Sequence, residues 1–480
     1  MRLPRLSFTM LLFLTSTALS GGGAPPQLQS TPCVYDLPSG FQEGRDVSCA
    51  TLTVPERHDR PGAGRIKLHV IRLHGQGKGN QLDPVVYLHG GPGGDVEGAL
   101  SRLGAQFVSA AGGRDVILFD QRGGGLSAPL VCSTSLTPEQ QFTRNDLAYI
   151  RAMVADNLAC RDQLLDAGVD LNAYNAAQIA GDVETLRQAL GATQLNLYGN
   201  SYGTRVAQET LRRYPTSVRS VVLDGPVPAG AAPDSYGKLL TRALHAAFRW
   251  CARDTGCHRT YPEAQARFTT VLDRLDRDRR ELAAAQPDVG VVSVPLSSTG
   301  VLEGLFGLLY GGRSPLTIPG WINPAYQGND DELALLMAYQ LRVDSYYGVF
   351  YPALCTDLPP RLRQTGKVAG EWPQVRRWSD RDGEVEAATC QAYGLTPDPL
   401  LRQPVRSDKP ALILAGELDP ITPPAYAELL ASHLTNSTVV VFSQGGHGQT
   451  NNPSTTKCTF ELLKAFWAQP DTKLNTHCVR

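Results

Sequence analysis

Beyond its first residues, this 480-residue chain has no long apolar run. A membrane-spanning helix needs about 20 such residues, so no later segment is expected to cross a bilayer. No Lys/Arg-rich tract alternates with aromatics, and the net charge is only −1. Neither nucleic acid nor an anionic membrane surface is therefore expected as a partner. Cys-x-x-Cys is absent, and no Cys/His cluster has zinc-site spacing, so no metal is expected. No Gly-Lys-Ser/Thr follows a glycine-rich loop, which disfavours a phosphate-binding loop. Apolar residues reach 42% of the chain, and at this length a large core with a sizeable insertion is expected.

The N-terminus does carry a short apolar stretch, Leu6 to Leu14, after the basic start Met1-Arg2-Leu3-Pro4-Arg5. Small residues follow at Ala18-Leu19-Ser20 and Gly21 to Ala24. The pattern is that of a signal peptide over residues 1–24, giving a secreted or periplasmic protein. No cysteine follows the small residues, so a lipoprotein anchor is not indicated. The ten cysteines suit an oxidising compartment. Their spacing suggests local pairs: Cys33–Cys49, Cys132–Cys160, Cys251–Cys257, Cys355–Cys390 and Cys458–Cys478. Other connectivities remain open on spacing alone.

Segments 50–55 and 66–73 alternate like strands of a meander. Short, continuously apolar runs then recur at Val85–Leu88, Val116–Phe119, Leu195–Tyr198, Val221–Leu223, Ala411–Leu414 and Val439–Phe442. Strands apolar on both faces imply a parallel sheet buried between helices. Helical patterns lie between them at 176–190, stopped by Gly191, and at 206–214, 426–434 and 459–467. The alternation breaks between about Pro226 and Arg406, where helices are expected at 239–250, 264–282 and 332–339. The organisation expected is α/β, a mostly parallel doubly wound sheet with an inserted helical cap. The core covers 33–225 and 407–480, and the cap 226–406.

Four loops after predicted strands carry the chemistry. Gly199-Asn200-Ser201-Tyr202-Gly203 matches the G-x-S-x-G nucleophile turn between a strand and a helix. His89-Gly90-Gly91-Pro92-Gly93-Gly94 offers bare backbone to a substrate carbonyl. Its Gly91 N–H, with Gly90 as second choice, and the Tyr202 N–H are the candidate oxyanion hole. Asp419, in Gly416-Glu417-Leu418-Asp419-Pro420, is the candidate acid, with Glu417 as its rival. His447, between glycines in Gly445-Gly446-His447-Gly448, is the candidate base. The order Ser201, Asp419, His447 is that of an α/β-hydrolase triad. Asp120, Arg122 and Asp224 also end strands and are read as scaffold.

These motifs, with Asp120-Gln121-Arg122-Gly123-Gly124-Gly125-Leu126-Ser127, resemble the prolyl iminopeptidase/tripeptidyl aminopeptidase group of α/β-hydrolases. The likeness runs from about Cys33 to Cys478 and includes a TAP-like C-terminal region. It implies a secreted serine exopeptidase acting on peptides with free N-termini, with no cofactor. It also implies cap acids that hold the substrate's α-ammonium group, and Asp357 is the candidate. An esterase or lactonase with the same triad is the alternative, and a non-catalytic binding protein on this fold a third reading.

Overall fold

The computed structural model describes residues 25–62, 64–75, 83–277, 280–288, 290–311, 317–341, 345–359, 361, 366 and 368–479. The expected signal peptide lies outside the described residues.

Nine strands form the main sheet. They are β1 (Leu28–Thr31), β2 (Val47–Pro55), β3 (Arg65–Leu73), β4 (Val85–Leu88), β5 (Val116–Phe119), β6 (Leu195–Asn200), β7 (Val218–Asp224), β8 (Ala411–Gly416) and β9 (Ser437–Phe442). Their order in space is β1-β2-β3-β5-β4-β6-β7-β8-β9. The first three pair antiparallel, as does β3 with β5. From β5 onward every pairing is parallel. The continuous apolar runs are the reason: β4, β5, β6 and β8 are buried at every position, which requires a helical layer on each face.

Those layers are α1 (Glu97–Ala110) and α11 (Thr456–Ala468) on one face, and α3 (Ala176–Ala189), α4 (Tyr202–Arg213) and α10 (Pro424–Ala431) on the other. Phe107, Tyr87, Tyr198 and Trp467 fill the first interface. Ile179, Val183, Val206 and Leu211 fill the second. Asn175 caps α3 by accepting the Gln178 N–H, and Gly191 takes φ 65° just beyond its end.

Between β7 and β8 the chain leaves the sheet. Here lie α5 (Tyr236–Arg253), α6 (Ala264–Arg277), α7 (Ser298–Tyr310), α8 (Phe350–Asp357) and α9 (Pro373–Tyr393). Helices α5, α6, α7 and α9 enclose a separate core around Leu240, Phe268, Leu305, Trp372 and Trp378. Two features differ from expectation. Helix α6 stops at Arg277, and Glu281–Gln286 instead pairs antiparallel with Gly290–Pro295. Cross-strand pairing with Val291, Val292 and Val294 overrides the helical propensity of the alanine run. The second is α2 (Asp146–Asp166), which the sequence groups with the core. It packs on α9: Asn157 Nδ2 bonds Thr389 Oγ1 at 3.1 Å, and Arg381 covers the Tyr149 ring. All five expected disulfides are present.

Candidate active site

Ser201 stands where β6 turns into α4, with φ 52° and ψ −120°. A residue with a side chain enters this region only under constraint. Glycine flanks permit the turn. A Cβ on Gly199 would lie 2.6 Å from the Gly203 carbonyl oxygen, and one on Gly203 would collide with that of Leu88. The Ser201 N–H donates to the Asp224 carbonyl at 2.8 Å. Helix α4 starts at Tyr202, so its first N–H groups have no partner within the helix.

Asp419, on the loop after β8, is fully buried. Its Oδ1 accepts the N–H groups of Ile421 and Thr422 at 2.9 and 2.8 Å. Its Oδ2 accepts the Thr422 hydroxyl at 2.6 Å and faces His447 Nδ1 at 2.8 Å. Burial alone would raise the Asp419 carboxyl, but the imidazole and these donors bring it below its ordinary pKa. Burial would likewise depress His447; the Asp419 carboxylate overrides this, and the net direction is up. His447 Nε2 is buried with no hydrogen-bond partner among the described residues. The rival, Glu417, is half-exposed and faces Arg242 and Arg249 instead.

The strand-end acids read as scaffold behave as such. Asp224 accepts the Tyr198 hydroxyl at 2.6 Å and the Gln449 N–H at 2.8 Å, tying the histidine loop to the nucleophile strand. Asp120 accepts the Val96 and Leu126 N–H groups, both at 2.9 Å. Arg122 is buried in a pair with Asp182 at 2.6 Å. In the glycine loop, a Cβ on Gly90 would sit 2.8 Å from Ser201 Cβ.

Gly91 opens instead on a cavity of about 290 Å³ beneath the cap. Tyr310 and Ile421 also line it, along with Phe306, Trp378 and Tyr351, and three acids: Glu303, Asp382 and Glu386. Glu386 is matched by Arg361, 3.5 Å away, and by the Tyr236 hydroxyl at 3.1 Å. Glu303 accepts from Trp378 Nε1 at 2.7 Å. Asp382 faces Arg381 at 3.3 Å. Burial pushes its carboxyl up to about 7, with Glu303 adding to the rise and Arg381 opposing it.

Asp357 is not at this cavity, which corrects its assignment to the substrate amine. It is 1% exposed. Its carboxylate accepts the Tyr202 hydroxyl and, at 3.0 Å, the Ala176 N–H at the start of α3. Burial raises it to about 6. The cavity acids were missed because they stand in a cap without motifs. Thr422 could have been found, since it lies within the Asp419-Pro420-Ile421-Thr422 run.

The fold is that of the α/β-hydrolases, and the alpha/beta hydrolase fold family matches residues 83–276. A second family, TAP-like protein, matches residues 379–478. The chain is 25% identical over 448 residues to the serine protease Hip1 of Mycobacterium tuberculosis, covering 85% of this chain and 82% of that protein. It is 29% identical over 205 residues to the tripeptidyl aminopeptidase of Streptomyces lividans, covering 40% of this chain and 37% of that one. Among solved structures, the proline iminopeptidase of Mycobacterium smegmatis aligns with a TM-score of 0.38 and 16% identity, over 88% of this chain and 98% of that one. Within the α/β-hydrolases, the chain resembles the prolyl iminopeptidase/tripeptidyl aminopeptidase group, and its relatives include peptidases.

Among the described residues no group of three or more His, Cys, Asp or Glu could hold a metal ion. No helix among them is long and apolar enough to cross a membrane.

Proposed function

We propose that this chain is an exported serine exopeptidase that cleaves peptides near a free N-terminus. The observation that carries the reading is the buried Asp419–His447 contact of 2.8 Å, with a free Nε2, on loops tied to the Ser201 turn. Ser201 Oγ attacks the scissile carbonyl as His447 Nε2 takes its proton. Asp419 holds the imidazole tautomer and balances the imidazolium. The N–H groups of Gly91 and Tyr202 receive the oxyanion, each such donor being worth about 3 kcal/mol of barrier. His447 then protonates the leaving amine, and water releases the acyl group. Five disulfides support export to an oxidising compartment.

The amine end is assigned to Glu303 and Asp382. With Arg381 beside them, the pair gains one net negative charge as Asp382 loses its proton, which suits one ammonium. Helix α7 then acts as a ruler. Glu303 and Tyr310 are seven positions apart on one face of it, which is about 10 Å along the axis. An extended peptide covers ~3.3–3.6 Å per residue, so about three residues fit between amine and scissile bond. The aromatic walls favour apolar side chains there.

The test is a digest of a free-N-terminus peptide library, read by mass spectrometry, with wild type and Ser201→Ala. Release of N-terminal tripeptides by wild type alone is expected. Unchanged turnover in Ser201→Ala would remove the nucleophile, and release of single residues would remove the ruler. An esterase on the same triad would be indifferent to N-acetylation of the substrate.

A further inference from the structure

The cap reaches the reacting groups as well as the substrate's far end. Tyr310, the last residue of α7, lies with its ring against the His447 imidazole, centroids 4.4 Å apart and planes at 32°. The Ser201 side chain acts on the Tyr310 hydroxyl, offsetting part of the effect of burial on the phenol. Tyr310 shares the cavity wall with Gly91. A second cap residue, Arg242 of α5, donates to the Glu417 carbonyl at 2.6 Å and to the Asp419 carbonyl, so the cap is seated on the triad loops at two points.

From this geometry we propose that Tyr310 is a further catalytic residue, whose phenol donates a hydrogen bond to Ser201 Oγ while its ring covers the imidazole. The inference rests on the triad reading above. A serine hydroxyl has one proton and two acceptor positions. It can therefore receive the Tyr310 hydrogen bond and still give its own proton to His447 Nε2. Burial raises the phenol's pKa, so Tyr310 keeps its proton and remains a donor.

In the attack, the O–H bond of Ser201 breaks toward Nε2 and the new Oγ–C bond forms. The carbonyl π pair moves onto its oxygen, and Tyr310 gives up nothing. In deacylation the Oγ–C bond breaks, its pair returns to Oγ, and His447 supplies the proton. A donor already aimed at Oγ eases both steps, because negative charge passes through that atom in each. The imidazolium formed between them lies against an aromatic face, which favours a cation. Glu303 and Tyr310 share α7, so the helix that receives the substrate's amine also holds the nucleophile.

Three variants test this: Tyr310→Phe, Tyr310→Leu and Ser201→Ala. The second-order rate of labelling by an alkyl fluorophosphonate, which needs no amine subsite, is measured beside kcat and KM on a tripeptidyl arylamide. Losing one hydrogen bond at Oγ should lower both the labelling rate and kcat about tenfold in Tyr310→Phe, with KM within about twofold. Tyr310→Leu should fall further. Rates in Tyr310→Phe equal to or faster than wild type would overturn the donor role. Equal losses in the Phe and Leu variants would overturn the role of the ring. A Phe variant whose unfolding midpoint drops along with its rate would point to loosening and count against the proposal. Ser201→Ala separates the two readings: labelling that survives it defeats the triad, whereas its loss beside an unaffected Tyr310→Phe defeats only this inference.

Discussion

Protonating Asp382 should switch off recognition of a substrate's amine while leaving the nucleophile intact. The Asp382 carboxyl is raised to about 7. It is therefore mostly protonated at pH 5 and mostly ionised at pH 8. Protonated, it leaves Glu303 and Arg381 neutral as a pair, and the ammonium finds no net charge. Ionised, it restores a net charge of one beside the ligand. A hydrogen bond to a charged group is worth about 1.5–3 kcal/mol, and a unit charge at 4 Å in an effective dielectric near 20 up to about 4. A figure of about 2–3 kcal/mol corresponds to a change of roughly 30- to 150-fold in kcat/KM. On a free-amine substrate the acid limb should therefore climb with a slope above one, because both His447 and Asp382 must lose a proton. Fluorophosphonate labelling, which needs only His447 neutral, should climb with unit slope. Asp382→Asn should lower the plateau by the stated factor and return the peptidase limb to unit slope. Superimposed limbs in wild type, or a full plateau in Asp382→Asn, would refute the reasoning.

Thr422→Val removes a hydroxyl that donates to Asp419 Oδ2 at 2.6 Å. With about 1.5–3 kcal/mol at stake, kcat should fall at least tenfold, and Thr422→Ser should restore most of it. The measurement is kcat on the same arylamide. The Cys355–Cys390 disulfide joins α8 to α9 across a separation of 35 residues. Replacing both cysteines by serine should cost about 4 kcal/mol on the chain-entropy account, seen as a lower unfolding midpoint. It should also raise KM, because Phe350 and Tyr351 of α8 and Asp382 of α9 line the cavity.

The sheet and the dyad were legible because their demands are local. A strand buried on both faces must be apolar throughout, and a nucleophile turn whose neighbours lie 2.6 Å from a would-be Cβ must be glycine. Such requirements write themselves into consecutive residues. The cap makes no such demand. Its helices need only an apolar stripe, so the stretch from Ala264 to Leu282 read as one helix when a strand pairing claims its end. Cys355-Thr356-Asp357 gives no sign that the aspartate is spent on Tyr202 and the start of α3.

This difference separates what acts from what selects. Acyl transfer needs donors and acceptors within tenths of an ångström, and short loops after fixed strands can supply them from sequence-local motifs. Selection needs a surface of the right charge and length, which can be assembled from residues far apart in the chain. Glu303 and Asp382 come together only because α7 and α9 pack on one another around Trp378, whose indole donates to Glu303 at 2.7 Å. Any pair of helices that brought two acids into the cavity would serve. On the proposed reading, the acids that hold the amine therefore leave no signature of their own, and helical rise rather than a motif would set the number of residues removed.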